Sequence, residues 1–307
     1  MDAFLFKLKK IVFRVLTFQP LNLILSRAIR YLDLRLPFIF PCVGKLPIKI
    51  SENVDFNMRS DGGDSIASRL YLYGKNSFES ESLDIFTKLV LLNSVNTVFD
   101  VGANTGIYSL AASSVDSSVD VYSFEPMPNI YQRLLANVEC NSFFKIKVYD
   151  IALSDQTGLI DFRFMPSITV PTGGSAAKEG WQGIQKISVR SASLDSFCLK
   201  EKVDRLDLIK LDTELTEPSV LKGGMEIISE CKPFIICEVL DEHSSNELTL
   251  LLNVIGYRFF HISSVGLIEK VKIEHDPSYE FANYLFVHSE RYLEFTELCL
   301  GSVRVAI

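Results

Sequence analysis

Two acidic side chains at the ends of predicted strands are the best candidates for chemistry in this sequence. Asp100 lies at the end of a strand predicted over Thr97–Val101, and Gly102 and Gly106 follow before a helix begins. Junctions of this kind hold nucleotide-like ligands in open α/β sheets. The glycine spacing does not match the dinucleotide fingerprint, and no Walker lysine follows. An acid at this position therefore indicates a ligand with an amino group and hydroxyls rather than a pyrophosphate.

Glu125 is the second acid, at the end of the next predicted strand, residues 120–124, and Pro126 follows it. A carboxylate at the tip of a second parallel strand can accept both hydroxyls of a ribose. The alternative is a solvated loop glutamate, since exposed acids are common. The preceding Asp100-x-Gly-x-Asn-x-Gly pattern favours the binding site.

Strands alternate with helices from residue 97 onward, which predicts an α/β fold with a mostly parallel seven-stranded sheet and helices on both faces. Strands are predicted over 97–101, 120–124, 146–150, 206–211, 234–239, 257–262 and 283–288, and helices over 106–114, 128–140, 216–229 and 244–255. A ligand is expected in the crevice at the carboxyl ends of the first and fourth of these strands.

The charge distribution separates the first 35 residues from the rest. They contain seven basic and two acidic residues, a net charge of +5, which leaves −12 for the rest of a chain whose total is −7. This acidic balance argues against a nucleic-acid-binding surface. Apolar residues 4, 8, 11, 12 and 15 share one helical face, so a basic amphipathic helix could lie on an anionic membrane surface. The alternative is a helix packed on the rest of the chain or on a partner.

The segment between residues 48 and 92 is predicted to be a cap leading into the sheet. It contains short strand-like runs at 48–50 and 70–74, a turn at Asp61-Gly-Gly, and a helix over 81–92. Prolines 37, 41 and 47 mark a boundary before it. We therefore expect a helical extension over 1–47, a cap over 48–92 and the main domain over 93–307. No C-x-x-C or zinc pattern occurs among the six cysteines, which favours free thiols in a reducing cytoplasm.

The order of several short motifs narrows the interpretation further. The sequence from Asp100 to Gly106 resembles motif I of class I S-adenosylmethionine-dependent methyltransferases. Five later segments resemble the FkbM family of O-methyltransferases in type and order: Lys145–Asp155, Val189–Phe197, Leu206–Glu214, Val220–Gly223 and Pro233–Glu238. The resemblance covers roughly residues 60 to 290. It implies a Rossmann-like class I methyltransferase fold, S-adenosylmethionine as cofactor, and an acceptor hydroxyl on a sugar, glycan or polyketide.

The resemblance also implies a cofactor site. Its predicted members are Asp100, Gly102, Asn104, Gly106, Glu125, Pro126, Asp150, Ile151 and Ala152. The first four would surround the methionine and ribose portions, and Glu125 would hold the ribose hydroxyls. Asp150 would accept the exocyclic amine of adenine, unless it is a turn residue that caps its loop.

Methyl transfer to an alcohol also needs a general base, for which Asp212 is the best candidate. Lys210, Asp212 and Glu214 begin on one side of the fourth strand and should face the crevice together. Asp212 would take the proton or orient the acceptor, and Lys210 would hold substrate or tune that carboxylate. A structural ion pair is the alternative, and two close acids could also bind a divalent cation. No metal site is predicted.

One residue departs from the family pattern D-V-E-G-A-E, because Leu215 stands where the family has glycine. We interpret this as an altered acceptor pocket. The loop over 165–185 could form a lid, with Trp181 as a sugar platform or a packing residue. Glu238 should end its strand at the same crevice, whereas His243 is a weak candidate base.

Two functions follow from the sequence. The first is a cytoplasmic O-methyltransferase acting on a small molecule or glycan, with residues 1–35 as a candidate peripheral contact to the inner face of a membrane. The second is a non-catalytic module of the same fold that binds a partner or a membrane. The intact acids Asp100, Glu125, Asp150 and Asp212 favour the enzyme, while Leu215 and the basic extension favour the module.

Overall fold

A computed structural model describes the chain over residues 2–143, 145–164, 185–302 and 305–306. Side chains are described within 9–143, 145–164 and 185–297. The predicted lid residues Thr172–Ser175 and Trp181 lie outside the described residues.

Helices cover both faces of a large sheet. The α-helices are α1 Asp2–Leu16, α2 Gln19–Tyr31, α3 Ser65–Tyr73, α4 Ser80–Val90, α5 Ile107–Val115, α6 Pro128–Glu139, α7 Leu194–Glu201, α8 Glu217–Lys222, α9 Met225–Cys231, α10 Glu242–Val254 and α11 Tyr292–Ser302. The strands are β1 Val43–Lys49, β2 Asp55–Asp61, β3 Thr97–Val101, β4 Asp120–Phe124, β5 Ile146–Tyr149, β6 Ala152–Ser154, β7 Gly158–Phe164, β8 Gln185–Ser193, β9 Leu208–Leu211, β10 Phe234–Glu238, β11 Tyr257–Ser263, β12 Gly266–Lys270, β13 Asn283–His288 and β14 Val305–Ala306.

The main sheet has nine strands in the order β14-β12-β11-β13-β10-β9-β3-β4-β5. The five strands from β10 to β5 run parallel, and β13 pairs with β10 and β11 in the antiparallel sense. All seven predicted strands belong to this sheet. The predicted strand count was wrong because β12 and β14 add to the β11 edge. Half-buried β12 and two-residue β14 carry little of the apolar signal that marks the inner strands.

The inner strands are buried on both faces, as a parallel sheet between two helical layers requires. Every residue of β3 and β9 is buried. One apolar core packs under α3, α4 and α5, and a second packs under α7, α8, α9 and α10. This double burial fixes the ends of β3 and β9 side by side, with Val101 opposite Leu211.

Two local predictions differ from the structure. The predicted strand at 70–74 is wrong, because these residues end helix α3. The Asp64 carboxylate caps that helix by accepting a hydrogen bond of 2.8 Å from the Ala67 amide, and its apolar residues pack on the core. The helix predicted over 216–229 is two helices, α8 and α9, separated by Gly223 and Gly224.

The chain before β3 packs closely on the main domain. Strands β1 and β2 form an antiparallel pair, and the boundary predicted at residue 47 falls inside β1. The amides of Arg59 and Asn57 in β2 donate to Asn137 and Asn141 at the end of α6. Within the described part of the chain, no helix is long and apolar enough to cross a bilayer. Five of the six cysteines have described side chains, and all five are free thiols.

Candidate active site

A cavity with many polar lining residues opens at the carboxyl ends of β3 and β9, where the sequence predicted a crevice. Its volume is about 340 Å³, within the range of small-molecule sites. Ten of the twelve predicted site residues line it: Asp100, Gly102, Asn104, Glu125, Pro126, Ile151, Ala152, Lys210, Asp212 and Glu214.

Gly102 lines the cavity and also permits a close approach within the backbone. Its φ angle is +80°, and a β-carbon there would lie 1.8 Å from the Asp212 carbonyl oxygen. Glycine is therefore needed for the ends of β3 and β9 to approach each other. This approach brings Asp212 to the cavity.

Two predicted cofactor residues do not line the cavity. Gly106 begins α5 with a φ of +96°, and a β-carbon there would lie 2.4 Å from Leu134 Cδ1. It permits close packing of α5 on α6. Asp150 has a half-exposed side chain that forms an ion pair with Arg190. In this structure Asp150 faces β8, and the predicted contact with adenine has no support from its position.

The loop after β3 holds Glu125 in place. Asn104, whose φ is +48°, donates its backbone N–H to Glu125 Oε2 at 3.1 Å, and the Met127 amide donates to Oε1 at 2.8 Å. Each carboxylate oxygen retains a further lone pair for a ligand. Burial raises the pKa of Glu125 to about 7. Asn104 Oδ1 is also buried and has no hydrogen-bond partner. Unpaired buried acceptors of this kind are typical of a site shaped for a polar ligand.

Asp100 is anchored from the helix that follows it. Its Oδ2 accepts hydrogen bonds from the Ser109 amide at 2.9 Å and the Ser109 hydroxyl at 2.5 Å. Burial raises the pKa of Asp100 to about 6, against the hydrogen bonds from Ser109 and the positive charge of Lys210. Asp100 is thus a fixed, buried acid at the cavity wall.

Lys210 lies at the centre of the residues predicted to take part in catalysis. Its side chain is 1% exposed, and Nζ lies 3.3 Å from Asp212 Oδ2 and 3.2 Å from Asn283 Oδ1. Burial alone would lower the pKa of Lys210, but the carboxylates of Asp212 and Glu79 raise it above its ordinary value. Lys210 is therefore a cation at neutral pH and cannot act as the base.

Three residues that the sequence did not single out complete this group. Glu79 Oε2 lies 3.8 Å from Lys210 Nζ, and it accepts hydrogen bonds from the Tyr108 hydroxyl at 2.7 Å and the Asn283 amide at 3.4 Å. Glu79 has a φ of +41°, a strained conformation for a side chain with a β-carbon. Tyr108 and Asn283 lie in a predicted helix and a predicted strand, where they resemble packing residues. No local pattern marks them.

The two secondary candidates behave differently. Glu238 lines the cavity, as predicted, and burial together with the charge of Asp212 raises its pKa well above the ordinary value. His243 is 87% exposed and lies beside Glu247 rather than in the cavity. The candidates for the general base are therefore the acids at the strand ends.

The cavity is strongly acidic. Among the lining residues that the structure describes, six are acids and Lys210 is the single base; the acids are Glu79, Asp100, Glu125, Asp212, Glu214 and Glu238. Like charges this close raise one another's pKa and attract a cation. Over the same described residues, no group of three His, Cys, Asp or Glu side chains is arranged to hold a metal ion.

Leu215 retains the backbone conformation of a glycine. Its φ is +81°, and the neighbouring Glu214 has a φ of +57°. Glu214 and Thr216 line the cavity, but Leu215 is not among the lining residues described. The substitution therefore places strain in the loop without adding a side chain to the cavity wall. The predicted reshaping of the acceptor pocket by Leu215 has no support from this geometry.

This strain predicts that Leu215→Gly will be more stable than Leu215→Ala, although both lose the same apolar side chain. A left-handed residue with a β-carbon costs about 1–2 kcal/mol. Glycine also gives the unfolded chain more conformational entropy than alanine does, which lowers the stability of the folded state by about 0.4–1 kcal/mol. The glycine variant should therefore unfold at a higher denaturant midpoint in guanidinium melts of the two proteins. An alanine variant of equal or greater stability would show that the loop is not strained.

The sequence is similar to those of known methyltransferases. A family model described as Methyltransferase FkbM domain matches residues 100–259, which begin at Asp100 and include Glu125 and Asp212. The 2-O-methyltransferase NoeI of Sinorhizobium fredii is 24% identical over 164 residues, covering 47% of this chain and 63% of that protein. The 31-O-demethyl-FK506 methyltransferase FkbM of Streptomyces tacrolimicus is 28% identical over 154 residues, covering 42% and 59%. These matches span less than two thirds of either relative.

A solved structure gives a weaker match. Methyltransferase FkbM from Methylobacillus flagellatus is 18% identical, with a TM-score of 0.41 over 66% of this chain and 48% of that one.

Proposed function

Because this chain belongs to the FkbM methyltransferase family, we propose that it transfers the methyl group of S-adenosylmethionine to a hydroxyl of a neutral sugar or glycan. The observation that carries the proposal is the Lys210–Asp212 pair, with 3.3 Å between Nζ and Oδ2, in the same cavity as Glu125. A proton acceptor and a ribose-binding carboxylate thus line one cavity.

The residues present suit this cofactor. S-adenosylmethionine carries an ammonium, a sulfonium and two ribose hydroxyls, and it supplies an electrophilic methyl group when bound. Glu125 offers free lone pairs to the hydroxyls, and the unpaired Asn104 Oδ1 can accept from a further donor. The six acids of the cavity favour a ligand with net positive charge.

In the proposed mechanism Asp212 takes the proton from the acceptor hydroxyl. Lys210 stays protonated and would donate a hydrogen bond to the oxygen of the acceptor hydroxyl. The ammonium would thereby stabilise the negative charge that develops on that oxygen. Asn283 and Glu79 hold the Lys210 ammonium in position. The protein thus provides positioning and a base, which is what transfer from an activated methyl donor requires.

The acceptor class follows from charge. With six acids and one lysine in the lining, a phosphorylated or sulfated acceptor would meet repulsion, whereas a neutral polyhydroxylated molecule would not. Two relatives are named as methyltransferases acting at an oxygen, which agrees with a hydroxyl acceptor.

The non-catalytic alternative is not favoured. It relied on the loss of glycine at position 215 and on the basic extension. The loop keeps a glycine-like φ, and Asp212 and Glu214 still line the cavity. A basic extension is equally compatible with an enzyme.

The proposal is tested by methyl transfer from labelled S-adenosylmethionine to a panel of neutral saccharides and their phosphorylated counterparts. We expect label in neutral acceptors alone. Transfer to the phosphorylated set would contradict the acceptor class. Cofactor binding without transfer to any acceptor, and without slow hydrolysis of the cofactor, would favour the non-catalytic module.

Glu125→Ala is expected to weaken S-adenosylmethionine binding by about ten- to a hundredfold, since a charge-assisted hydrogen bond contributes about 1.5–3 kcal/mol. Isothermal titration calorimetry measures this directly. The variant also leaves the Asn104 and Met127 amides unpaired, so a thermal melt must show that it remains folded. Glu139→Ala, at an exposed position at the end of α6, is the matched control. Unchanged affinity in a folded Glu125→Ala protein would remove Glu125 from the site.

A further inference from the structure

The two N-terminal helices present an unusual apolar surface to solvent. Eleven of the twenty exposed large hydrophobic side chains among the described residues lie between positions 11 and 38. The outer face of this helical pair is defined here by Ile11, Val15, Ile24 and Tyr31. Ile24 is 66% exposed and Tyr31 is 89% exposed. Apolar patches of this kind mark interaction sites.

The orientation of α2 is the reverse of that in an ordinary surface helix. Its buried stripe is Asn22, Ser26 and Ile29, so two of three inward residues are polar. The Asn22 amide donates to the carbonyls of Leu16 and Pro41, both at 2.6 Å, and its Oδ1 accepts from the Val43 amide at 2.9 Å. These buried hydrogen bonds fix α2 against β1 with Leu21, Leu23 and Ile24 facing outward.

The inner side of α1, which faces the rest of the chain, is also not fully packed. An apolar cavity of about 400 Å³ lies between α1 and the start of α3, with Phe13, Leu16 and Phe38 in its wall. Within the part of the chain that the structure describes, neither side of α1 therefore has a full apolar partner.

Basic residues flank this surface. Arg14 lies between Ile11 and Val15 along α1, and Arg27 lies one turn from Ile24 and Tyr31 on α2. Residues 1–35 carry a net charge of +5 while the rest of the chain carries −12. An anionic surface would therefore attract the helical pair and repel the remainder, which sets the orientation of the molecule.

We propose that the outer face of α1 and α2 binds the surface of a bilayer that contains anionic phospholipid. Apolar side chains would enter the boundary between headgroups and acyl chains, and the arginines would contact the phosphates. A symmetric dimer through the same face would oppose its own arginines, so it fits the charge pattern less well.

The cavity beneath α1 adjoins the candidate active site. Ser65 contributes to the cavity beneath α1, and the adjacent Ile66 lines the cavity that holds Lys210 and Asp212. The start of α3 thus connects the helical pair with the candidate active site.

Vesicle flotation of the full chain tests this proposal, with vesicles of phosphatidylcholine alone and of phosphatidylcholine mixed with phosphatidylglycerol. We expect flotation with the mixed vesicles only, weakening as salt is added. Arg27→Gln should weaken partitioning about fivefold, the contribution of one basic residue near an anionic surface. Ile24→Asp should weaken it about tenfold or more, because an apolar side chain is lost from the interface.

The controls are exposed residues of the same types elsewhere. Leu250→Asp on α10, where the leucine is 71% exposed, and Lys200→Gln on α7 should float like the parent protein. No cofactor or acceptor is needed, so the result is independent of methyl transfer. Equal flotation with both vesicle types would overturn the proposal, as would unchanged flotation of Ile24→Asp. A dimer in solution that Ile24→Asp separates, with no vesicle binding, would assign the face to a second copy instead.

Discussion

Asp212→Asn is expected to bind S-adenosylmethionine as tightly as the parent protein and to transfer methyl about 10²- to 10⁴-fold more slowly, the usual contribution of a general base. Asparagine keeps an oxygen that can accept from Lys210, so the ion-pair geometry changes little. What is lost is the acceptor for the hydroxyl proton. Single-turnover transfer from labelled cofactor measures the rate, and calorimetry measures the affinity.

The same variant separates catalysis from structure. Were Asp212 only a partner for Lys210, the thermal midpoint would fall while the rate of the folded fraction stayed nearly unchanged. Asp204→Asn, at an exposed position before β9, controls for the change of side chain itself. A rate equal to that of the control would remove Asp212 from the chemistry.

Lys210→Met should destabilise the folded chain by about 3–5 kcal/mol, because removing one partner of a buried ion group leaves the others uncompensated. Glu79 and Asp212 lie within 3.8 Å of the ammonium, and Glu238 also interacts with it. Denaturant unfolding at constant pH measures the change. Lys200→Met, on the exposed side of α7, should have almost no effect.

The loss in Lys210→Met should depend on pH. In the parent protein the pKa of Lys210 is raised, so its stabilising contribution is complete below the ordinary value of 10.5 and is lost only at higher pH. In the parent protein burial raises the pKa values of Glu79 and Glu238, and the charge of Lys210 opposes that rise. Loss of Lys210 should raise these pKa values further, so the folded variant should bind protons more readily than its unfolded state. Stability should therefore fall as pH rises, and the deficit should be larger in mildly alkaline than in mildly acidic buffer. A deficit that does not change with pH would show that these acids do not surround Lys210.

Most of the sheet could be predicted because its strands carry a strong local signal. β3, β4 and β10 are runs of apolar residues bounded by glycine, proline or acid, and the structure places them within a residue of the predicted limits. Leu70–Tyr73 was misassigned because alternating leucine and tyrosine suit a strand. The segment is helical instead, because Asp64 caps the first turn of α3 and the apolar residues of that helix are buried in the core.

The site could be predicted only where its residues follow strand ends. Asp100, Glu125 and Asp212 are of that kind, and parallel pairing brings such ends together. Glu79 and Asn283 are separated by 204 positions, and only the tertiary fold places their side chains 3.4 Å apart. The packing roles of Gly102 and Gly106 also need the tertiary fold, since a β-carbon at either position would meet Asp212 or Leu134.

The excess of acids around Lys210 bears on how the enzyme would release its product. Before transfer, the proposed cofactor would have a net positive charge, which the acids lining the cavity would attract. Once its methyl group is transferred, the cofactor would lack the sulfonium charge, so the cavity would hold the product less tightly than the donor. Asp212 could take the proton of a new acceptor only after returning the previous proton to water, so each turnover would be coupled to the release of one proton.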